Sequence, residues 1–275
     1  MSESATARYV MGYDDRERRR LQLQASIINP TTEQLLQRAG LRAGMRVVDI
    51  GSGVGDVALL VARMVGPSGH VTACDLDERA LAVVAERAAG EGLTNITTVA
   101  GDVHALALPR TFDAATGRHI LIHLPDPLEM IRTMAGLVKP GGIIVFQEYD
   151  FSVFHASHPL TPLRDKMVAI FRDFFALARH GNMGTRLPAL FAQAGLAEIE
   201  ARVEYPMSNG GPDSPYYEWV ADSLRSILPR AVAAGVPNAA SVEIETLEEQ
   251  LRVEAVANAS VIPGPTMVGC VGRVR

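Results

Sequence analysis

The amino-acid sequence predicts an α/β protein built around a mainly parallel sheet of seven strands. Strand and helix patterns alternate regularly from residue 46 onward, and most strands are near-continuous apolar runs, which is typical of a sheet covered on both faces. A glycine-rich turn follows the first of these strands, where such folds bind ligands. The predicted strands are 46–50, 70–75, 96–100, 112–117, 143–149, 199–204 and 266–274.

The predicted helices between these strands end at glycine or proline signals such as Gly66-Pro67. Longer helical segments interrupt the series late in the chain, and insertions there commonly cap the ligand crevice of such sheets. We therefore predict a main domain over residues 31–275, with helical cap insertions near 151–182 and 208–261. The predicted helices are 56–65, 78–90, 128–138, 160–179, 187–193, 216–228 and 242–258.

The glycine-rich turn lies within residues 47–59 and has glycines at alternate positions, Gly51, Gly53 and Gly55. Glycine lets the backbone turn sharply and lets a ligand approach closely. A dinucleotide fingerprint needs its third glycine where this chain has Asp56. Because Asp49 and Asp56 both disfavour a diphosphate, we predict a ligand that is cationic or zwitterionic at this end. A nicotinamide-dependent oxidoreductase stays as a weaker alternative.

Acidic residues stand at or just after the ends of three successive strands: Asp49, Asp75 and Asp102. The carboxyl ends of parallel strands face one crevice, so these three carboxylates should converge. A carboxylate after the second strand is suited to accept both hydroxyls of a ribose. One after the third strand is suited to accept from the amino group of an adenine. We therefore predict a nucleoside-containing ligand at this edge.

Composition limits the class of protein. The net charge of −5 and the pI near 5.8 argue against a nucleic-acid partner. No apolar run is long enough to span a bilayer and no secretory signal is recognised, so we expect no membrane partner and a cytoplasmic location. Cys74 and Cys270 lie in apolar runs and are interpreted as reduced core residues, and no metal site is predicted.

Residues 1–30 are predicted to form a helical arm, with a new helix starting at Pro30 and running to Ala39. One interpretation is a solvated helix with a single apolar face. The other is a lid that closes over the glycine loop and brings Tyr9 or Tyr13 to the ligand. The sequence leaves both interpretations open.

Taken in order, five segments resemble the class I S-adenosylmethionine-dependent methyltransferases. The resemblance implies a Rossmann-like sandwich, S-adenosylmethionine as methyl donor and S-adenosylhomocysteine as product. It implies that the glycine loop holds the methionine end of the cofactor, that Asp75 binds the ribose, that Leu76 packs on adenine, and that Asp102 and Val103 contact the adenine edge. The segments are 47–55, 71–77, 101–103, 112–127 and 137–146, and the expected cofactor-binding residues are Asp49, Gly51, Ser52, Gly53, Asp75, Leu76, Asp102, Val103, Gly117, Arg118 and His123.

The first residues of the chain are similar to those of actinobacterial small-molecule methyltransferases of secondary metabolism. Since the N-terminal arm covers the site in parts of that group, sometimes by exchange between subunits, the resemblance implies a possible homodimer through the arm. It does not fix the acceptor, which could be methylated on oxygen, carbon or nitrogen.

Candidate catalytic residues are His119, which directly follows the fourth strand, and Tyr13 of the arm. Histidine suits a general base because its ordinary pKa lies near neutral pH. Aromatic residues concentrate in the two insertions and predict a mainly apolar small-molecule acceptor. An alternative is a protein that binds the cofactor without turnover and acts as a regulator or partner subunit. The aromatic residues are Phe151, Phe154, Phe171, Phe174, Phe175, Tyr216, Tyr217 and Trp219.

Overall fold

The computed structural model describes residues 15–275, apart from the side chains of Asp15, Glu17 and Arg18. The helices are α1 (Asp15–Ala39), α2 (Asp56–Val65), α3 (Glu78–Gly90), α4 (Pro127–Leu137), α5 (Pro162–Ala176), α6 (Met183–Gln193), α7 (Tyr216–Ala233) and α8 (Leu247–Ala257). The strands are β1 (Arg46–Ile50), β2 (His70–Asp75), β3 (Ile96–Ala100), β4 (Phe112–Arg118), β5 (Val138–Tyr149), β6 (Ala197–Glu204), β7 (Met207–Ser208), β8 (Ile262–Pro263) and β9 (Met267–Arg273).

The main sheet has seven strands in the order β3-β2-β1-β4-β5-β9-β6. The first five run parallel, and β9 inserts antiparallel between β5 and β6. This arrangement confirms the predicted mainly parallel α/β sandwich. From β1 the chain proceeds to β2 and β3 on one side, and then to β4 and β5 on the other. Because the strand order reverses between β1 and β4, a crevice opens beyond the carboxyl ends of these two strands.

Helix α1 does not restart at Pro30, so that part of the prediction is wrong. One helix crosses the position, although proline cannot donate its backbone nitrogen to the helical ladder. Tertiary packing holds the helix on both sides of the proline: Ile28 and Leu36 are buried, while Pro30 itself faces solvent. The hydroxyl of Thr31 also donates to the carbonyl of Ile28 at 2.8 Å. Burial of the apolar face outweighs the local helix-breaking signal.

Two apolar cores sandwich the sheet, and a third lies in the cap. The end of α1 packs with α2 and α3 on one face, and α4 with α6 on the other. The predicted insertions contain α5, and α7 with α8, which pack together around Leu224 and Leu251. Cys74 and Cys270 are buried and not bonded to each other. Within residues 15–275, no helix is both long and apolar enough to cross a membrane.

Candidate active site

The ends of β1, β2 and β3 meet at the glycine loop, and Asp75 is the centre of this junction. The backbone N–H of Gly53 donates to Asp75 Oδ2 at 2.8 Å, and that of Asp77 donates to Oδ1 at 2.9 Å. The N–H of Gly101 donates to the carbonyl of Asp75 at 2.9 Å. The carboxylate is therefore fixed in place by two backbone donors and keeps lone pairs available for a ligand.

Left-handed backbone shapes the loop at all three alternate glycines, with φ of 65° at Gly51, 51° at Gly53 and 89° at Gly55. A Cβ on Gly51 would lie 2.7 Å from the side chain of Ile120, so this position has no room for a side chain. The loop therefore needs glycine for its conformation and also for its contact with the segment after β4.

Asp49 is buried beneath the loop and braces it. Its Oδ1 accepts from the Thr116 hydroxyl at 2.7 Å, and its Oδ2 accepts from the Ser52 hydroxyl at 2.8 Å. Burial raises the pKa of Asp49 to about 6, against the opposing effect of these hydrogen bonds. Through these bonds Asp49 and the Ser52 hydroxyl hold the loop in place from below.

The residues predicted to meet adenine lie beside Asp75. Leu76, directly after β2, is 55% exposed and offers an apolar face to a ring. Asp102 is exposed and its Oδ1 accepts from the backbone N–H of His104 at 3.0 Å. The side chain of Val103 is buried in the core, so only its backbone is available to a ligand.

Gly117 ends the buried part of β4, where a Cβ would lie 2.6 Å from the Phe146 ring. Arg118 follows, and its side chain turns toward α1. Its Nη1 donates to Asn29 Oδ1 and to Thr32 Oγ1, both at 2.9 Å. Arg118 thereby ties the strand end to the N-terminal helix.

His119 has a left-handed backbone with φ of 55°, and its imidazole stacks on the Tyr149 ring. Its Nε2 is buried and has no hydrogen-bond partner among the described residues. Burial, followed by the charge of Arg118, lowers the pKa of His119 well below its usual value. The imidazole is therefore neutral at neutral pH and can accept a proton.

Glu148 holds the turn that carries His119. Its Oε1 accepts from the backbone N–H groups of Ile120 and Leu121 at 2.9 and 2.8 Å. The side chain is fully buried, and burial raises its pKa to about 8. His123 lies at the end of the same short turn, where its backbone N–H donates to the carbonyl of Ile120 at 3.0 Å.

The predicted aromatic wall divides into two groups. Five of the eight residues gather with Tyr149 above the end of β5, three lie in the core of the cap, and Phe175 of the first five also packs against that core. Phe151 stacks on Phe175 with ring centroids 3.8 Å apart, and Tyr216 meets Trp219 edge to face. We name the first group the aromatic roof. The roof contains Phe151, Phe154, Phe175, Tyr216 and Trp219, and the cap core contains Phe171, Phe174 and Tyr217.

Helix α1 supplies site residues that the sequence alone did not reveal. The buried Arg20 donates to Gln24 Oε1 at 2.9 Å, and Trp219 Nε1 donates to the same oxygen at 3.5 Å. Thr32 and Gln147 were also missed. Only the alternation of side chains along β5 could have placed Gln147 opposite Arg118. The candidates Tyr9 and Tyr13 lie outside the described residues.

Comparisons with known proteins agree with this geometry. A family model described as "Methyltransferase domain" matches residues 41–195, more than half of the chain. The demethylmenaquinone methyltransferase of Halalkalibacterium halodurans is 29% identical over 193 residues, which are 64% of this chain and 76% of that protein. The ubiquinone/menaquinone biosynthesis C-methyltransferase UbiE of Pseudomonas putida is 37% identical over 116 residues, 42% of this chain and 45% of that protein.

A solved structure covers most of the chain. Phosphoethanolamine N-methyltransferase 2 of Haemonchus contortus, in complex with phosphomonomethylethanolamine and S-adenosylhomocysteine, has a TM-score of 0.53 at 20% identity. The match spans 89% of this chain and 52% of that one, and at this identity it concerns the fold. The family match leaves no support for the oxidoreductase alternative. The chain therefore belongs to the methyltransferase domain family and is an S-adenosylmethionine-dependent methyltransferase with a Rossmann-like fold.

Proposed function

We propose that this enzyme methylates a mainly apolar, ring-bearing small molecule held between the glycine loop and the aromatic roof. The observation that carries the proposal is the buried Nε2 of His119, which has no hydrogen-bond partner among the described residues, on a ring that stacks on Tyr149 of the roof cluster. A ligand with a hydroxyl group and an apolar body suits a site that combines the basic Nε2 atom with the rings of the aromatic roof.

The residues at the strand ends fit S-adenosylmethionine. The pinned carboxylate of Asp75 has lone pairs for two ribose hydroxyls, and the exposed face of Leu76 suits adenine. Asp102, the backbone of Val103 and the backbone around Gly117 complete the expected cofactor contacts. When bound, the cofactor supplies a methyl group activated on a sulfonium. The protein then has to hold the two reactants in line and exclude water.

His119 is the proposed general base for a hydroxyl-bearing acceptor. Its neutral imidazole can take the proton of the acceptor hydroxyl. Loss of this proton makes the acceptor oxygen, or the ring that carries this oxygen, a stronger nucleophile. Tyr13 remains a second candidate, and Tyr13→Phe is the variant that tests it. The imidazole is held by the stack on Tyr149 and by the turn that Glu148 caps.

The relatives support a ring-bearing acceptor. The names of the two matched proteins specify demethylmenaquinone and ubiquinone or menaquinone biosynthesis, which concern quinone rings. A role in natural-product metabolism rests on the resemblance of the first residues alone and is part of the proposal. So are the cytoplasmic location and the homodimer through an N-terminal arm.

The alternative is a protein that binds the cofactor but does not turn over. Formation of S-adenosylhomocysteine that depends on an added acceptor distinguishes the proposed enzyme from this alternative. The enzyme is mixed with S-adenosylmethionine and with phenols, hydroxyquinones, amines and long-chain alkenes, and the product is measured by mass spectrometry. We expect turnover with one of the ring-bearing hydroxyl compounds. Binding of the cofactor without methylation of any member of the panel would support the alternative.

The arm has its own test. Removal of residues 1–30 deletes the first part of α1, including Arg20, Gln24 and Asn29 of the site. We expect this deletion to abolish turnover, and removal of residues 1–14 alone to lower it if a lid closes there. Unchanged turnover after removal of residues 1–14 would contradict the lid, and an unchanged mass in solution after removal of residues 1–30 would contradict the dimer through the arm.

A further inference from the structure

Arg230, in the last turn of α7, stands at the far end of a row of aromatic rings that begins at His119. We infer that the Arg230 guanidinium binds a carboxylate of the acceptor, and that the body of the acceptor lies along this row with its hydroxyl at His119. The inference rests on the proposed function. It narrows the acceptor to a ring-bearing hydroxyl compound that is also an acid.

The guanidinium of Arg230 has a buried donor and an unmatched charge. Its Nη2 is buried and has no hydrogen-bond partner among residues 15–275. Burial alone lowers the pKa of Arg230, and no carboxylate of the described residues offsets the effect. Burial also lowers the pKa values of Arg118 and Arg164, but neighbouring aspartates partly offset both shifts. A half-buried cation of this kind is stabilised when an anion binds it.

The position of Arg230 at a helix end does not account for this state. The carboxyl end of a helix favours a positive charge, as α7 does here. That attraction is available to an arginine whose side chain is fully solvated. It gives no acceptor to a nitrogen that the protein encloses. The enclosed Nη2 therefore indicates a ligand group at this place.

The row of rings joins Arg230 to the proposed base. Centroids of consecutive rings, starting from the imidazole of His119, are 3.8 to 5.2 Å apart. At the far end, Arg230 Cζ lies 5.8 Å from the centroid of the last ring. Apolar rings in series suit the body of an elongated acceptor. In order from His119, the rings are Tyr149, Phe151, Phe175 and Phe174.

His123 lies near the Arg230 end of the row. It is exposed, yet burial lowers its pKa to about 4, and the charge of Arg230 adds to this effect. A residue that protein surrounds and that water still reaches lines a recess, not a convex surface. Phe174 and Phe175 are half-buried, so they too keep surface that a ligand can cover. The recess is therefore open to a small molecule.

The charge of the recess favours a carboxylate. The imidazole of His123 is neutral at neutral pH, because its pKa is about 4, and it adds no charge to that of Arg230. A single guanidinium matches a ligand group with one negative charge. A carboxylate has one, and its two oxygens fit the fork of guanidinium donors. A phosphate monoester carries nearly two negative charges at this pH and would remain incompletely matched.

The test compares two probes, hydroxyphenyloctanoate and hydroxyphenyloctanol, which are phenols that differ only in the end group of one alkyl chain. Each is titrated by calorimetry into wild type and into Arg230→Met, with the protein saturated with S-adenosylhomocysteine. We expect wild type to bind the octanoate about tenfold or more tightly than the octanol. Arg230→Met should bind the two probes alike, because it keeps the length of the side chain and loses the charge.

Arg172→Met is the matched control. Arg172 is an exposed arginine of α5 that pairs with Asp173 at 3.0 Å, so its replacement should keep the wild-type preference. Arg230→Met is checked by circular dichroism before titration. Arg230→Gln, which also removes the charge, takes its place if Arg230→Met does not fold.

A second measurement locates the bound probe. Phenylalanine rings are isotopically labelled, and nuclear Overhauser contacts from hydroxyphenyloctanoate to these rings are recorded. The methylene beside the carboxylate should contact Phe174, and the phenol ring should contact Phe151. Phe174→Leu assigns the signals of the first contact. If the phenol ring contacts Phe174 instead, or the chain end contacts neither Phe174 nor Phe175, the proposed placement is wrong.

This inference and the proposed function fail separately. All of these measurements are made without turnover, so a lack of methyl transfer contradicts the proposed function and leaves them interpretable. The carboxylate site is overturned if folded wild type binds neither probe or binds both alike. It is equally overturned if the variant that lacks the Arg230 charge keeps the wild-type preference for the octanoate.

Discussion

The imidazole of His119 stacks on the phenol ring of Tyr149, with centroids 3.8 Å apart and planes inclined by 12°. The contact joins the residue after β4 to the last residue of β5. The backbone N–H of His119 also donates to the carbonyl of Gln147 at 3.0 Å. Two adjacent strand ends thus hold the proposed base in a left-handed conformation that few residue types accept.

His119→Asn tests the proposed base without changing the backbone. Asparagine tolerates a φ of 55° but cannot act as a base at neutral pH. We expect kcat with a hydroxyl acceptor to fall by about 10²-fold or more, with unchanged affinity for S-adenosylhomocysteine, measured by turnover and calorimetry. His104→Asn, at a histidine bonded to Thr133, is the control. Equal turnover in the two variants would exclude His119 as the base.

The pH dependence of turnover gives a separate prediction. Burial and the charge of Arg118 lower the pKa of His119 well below its usual value, so its neutral form persists as the pH falls through 6.5. We therefore expect that protonation of His119 does not lower kcat between pH 8 and pH 6.5. The prediction is wrong if kcat of wild type falls to half near pH 6.5 and the remaining activity of His119→Asn does not. That result would mean that the pKa of His119 is not lowered.

Gly51→Ala separates backbone strain from steric contact. Gly51 and Gly92 have similar left-handed φ values of 65° and 68°. A Cβ on Gly92 meets nothing within 4 Å, while one on Gly51 lies 2.7 Å from Ile120. We expect Gly92→Ala to lower the free energy of unfolding by about 1 kcal/mol, and Gly51→Ala by about 1–3 kcal/mol more. Urea unfolding measures both, and equal losses would mean that the loop has room for a side chain.

The sheet was predictable because its signals are local. The bounds of β1, β2, β3, α2 and α3 agree with the predicted ones, since short apolar runs are separated by glycine turns. The start of β5 was missed. It reaches back to Val138 through Pro140 and Gly142, because the chain pairs there with Val274 near the C-terminus. Pairing over such a distance leaves no trace in the local pattern.

Part of the candidate site was predictable from local patterns. Asp75 and the glycine loop follow from strand ends and turn chemistry. The bonds from Thr32 to Arg118 and Gln147 cross 86 and 115 positions of sequence, and no periodicity connects them. The aromatic residues showed which segments form the roof, but their helical spacing did not show that Phe175 packs against both the roof and the cap core, while Phe174 packs against the cap core.

Asp75→Asn tests the proposed ribose contact. The amide keeps one acceptor oxygen but loses the charge, and it cannot accept from the N–H groups of both Gly53 and Asp77. We expect affinity for S-adenosylhomocysteine to fall by about tenfold or more in calorimetric titration. Asp77→Asn is the matched control, because asparagine replaces aspartate well as the N-cap of α3. If both variants lose a similar amount of affinity for S-adenosylhomocysteine, the effect comes from removing a negative charge near the site and not from a contact made by Asp75.

Glu148→Gln tests the buried carboxyl through the pH dependence of stability. Burial raises the pKa of Glu148 from 4.5 to about 8, so the folded state holds a proton that the unfolded state releases above pH 4.5. The stability contributed by this proton is complete below about pH 4.5 and is lost as the pH rises through 8. Glutamine carries no titrating proton, yet its amide oxygen can still accept from Ile120 and Leu121. Its effect on stability is therefore independent of pH.

We expect the free energy of unfolding of Glu148→Gln, relative to wild type, to rise by on the order of 3 kcal/mol between pH 5 and pH 8. Urea titrations at intervals across that range measure the difference, and the titration of Asp49 cancels because both proteins contain it. Glu86→Gln, at an exposed glutamate, is the control variant. If the free energies of unfolding of Glu148→Gln and wild type instead change with pH in parallel, Glu148 is ionised in the folded protein. The turn that carries His119 would then be capped by a charged carboxylate.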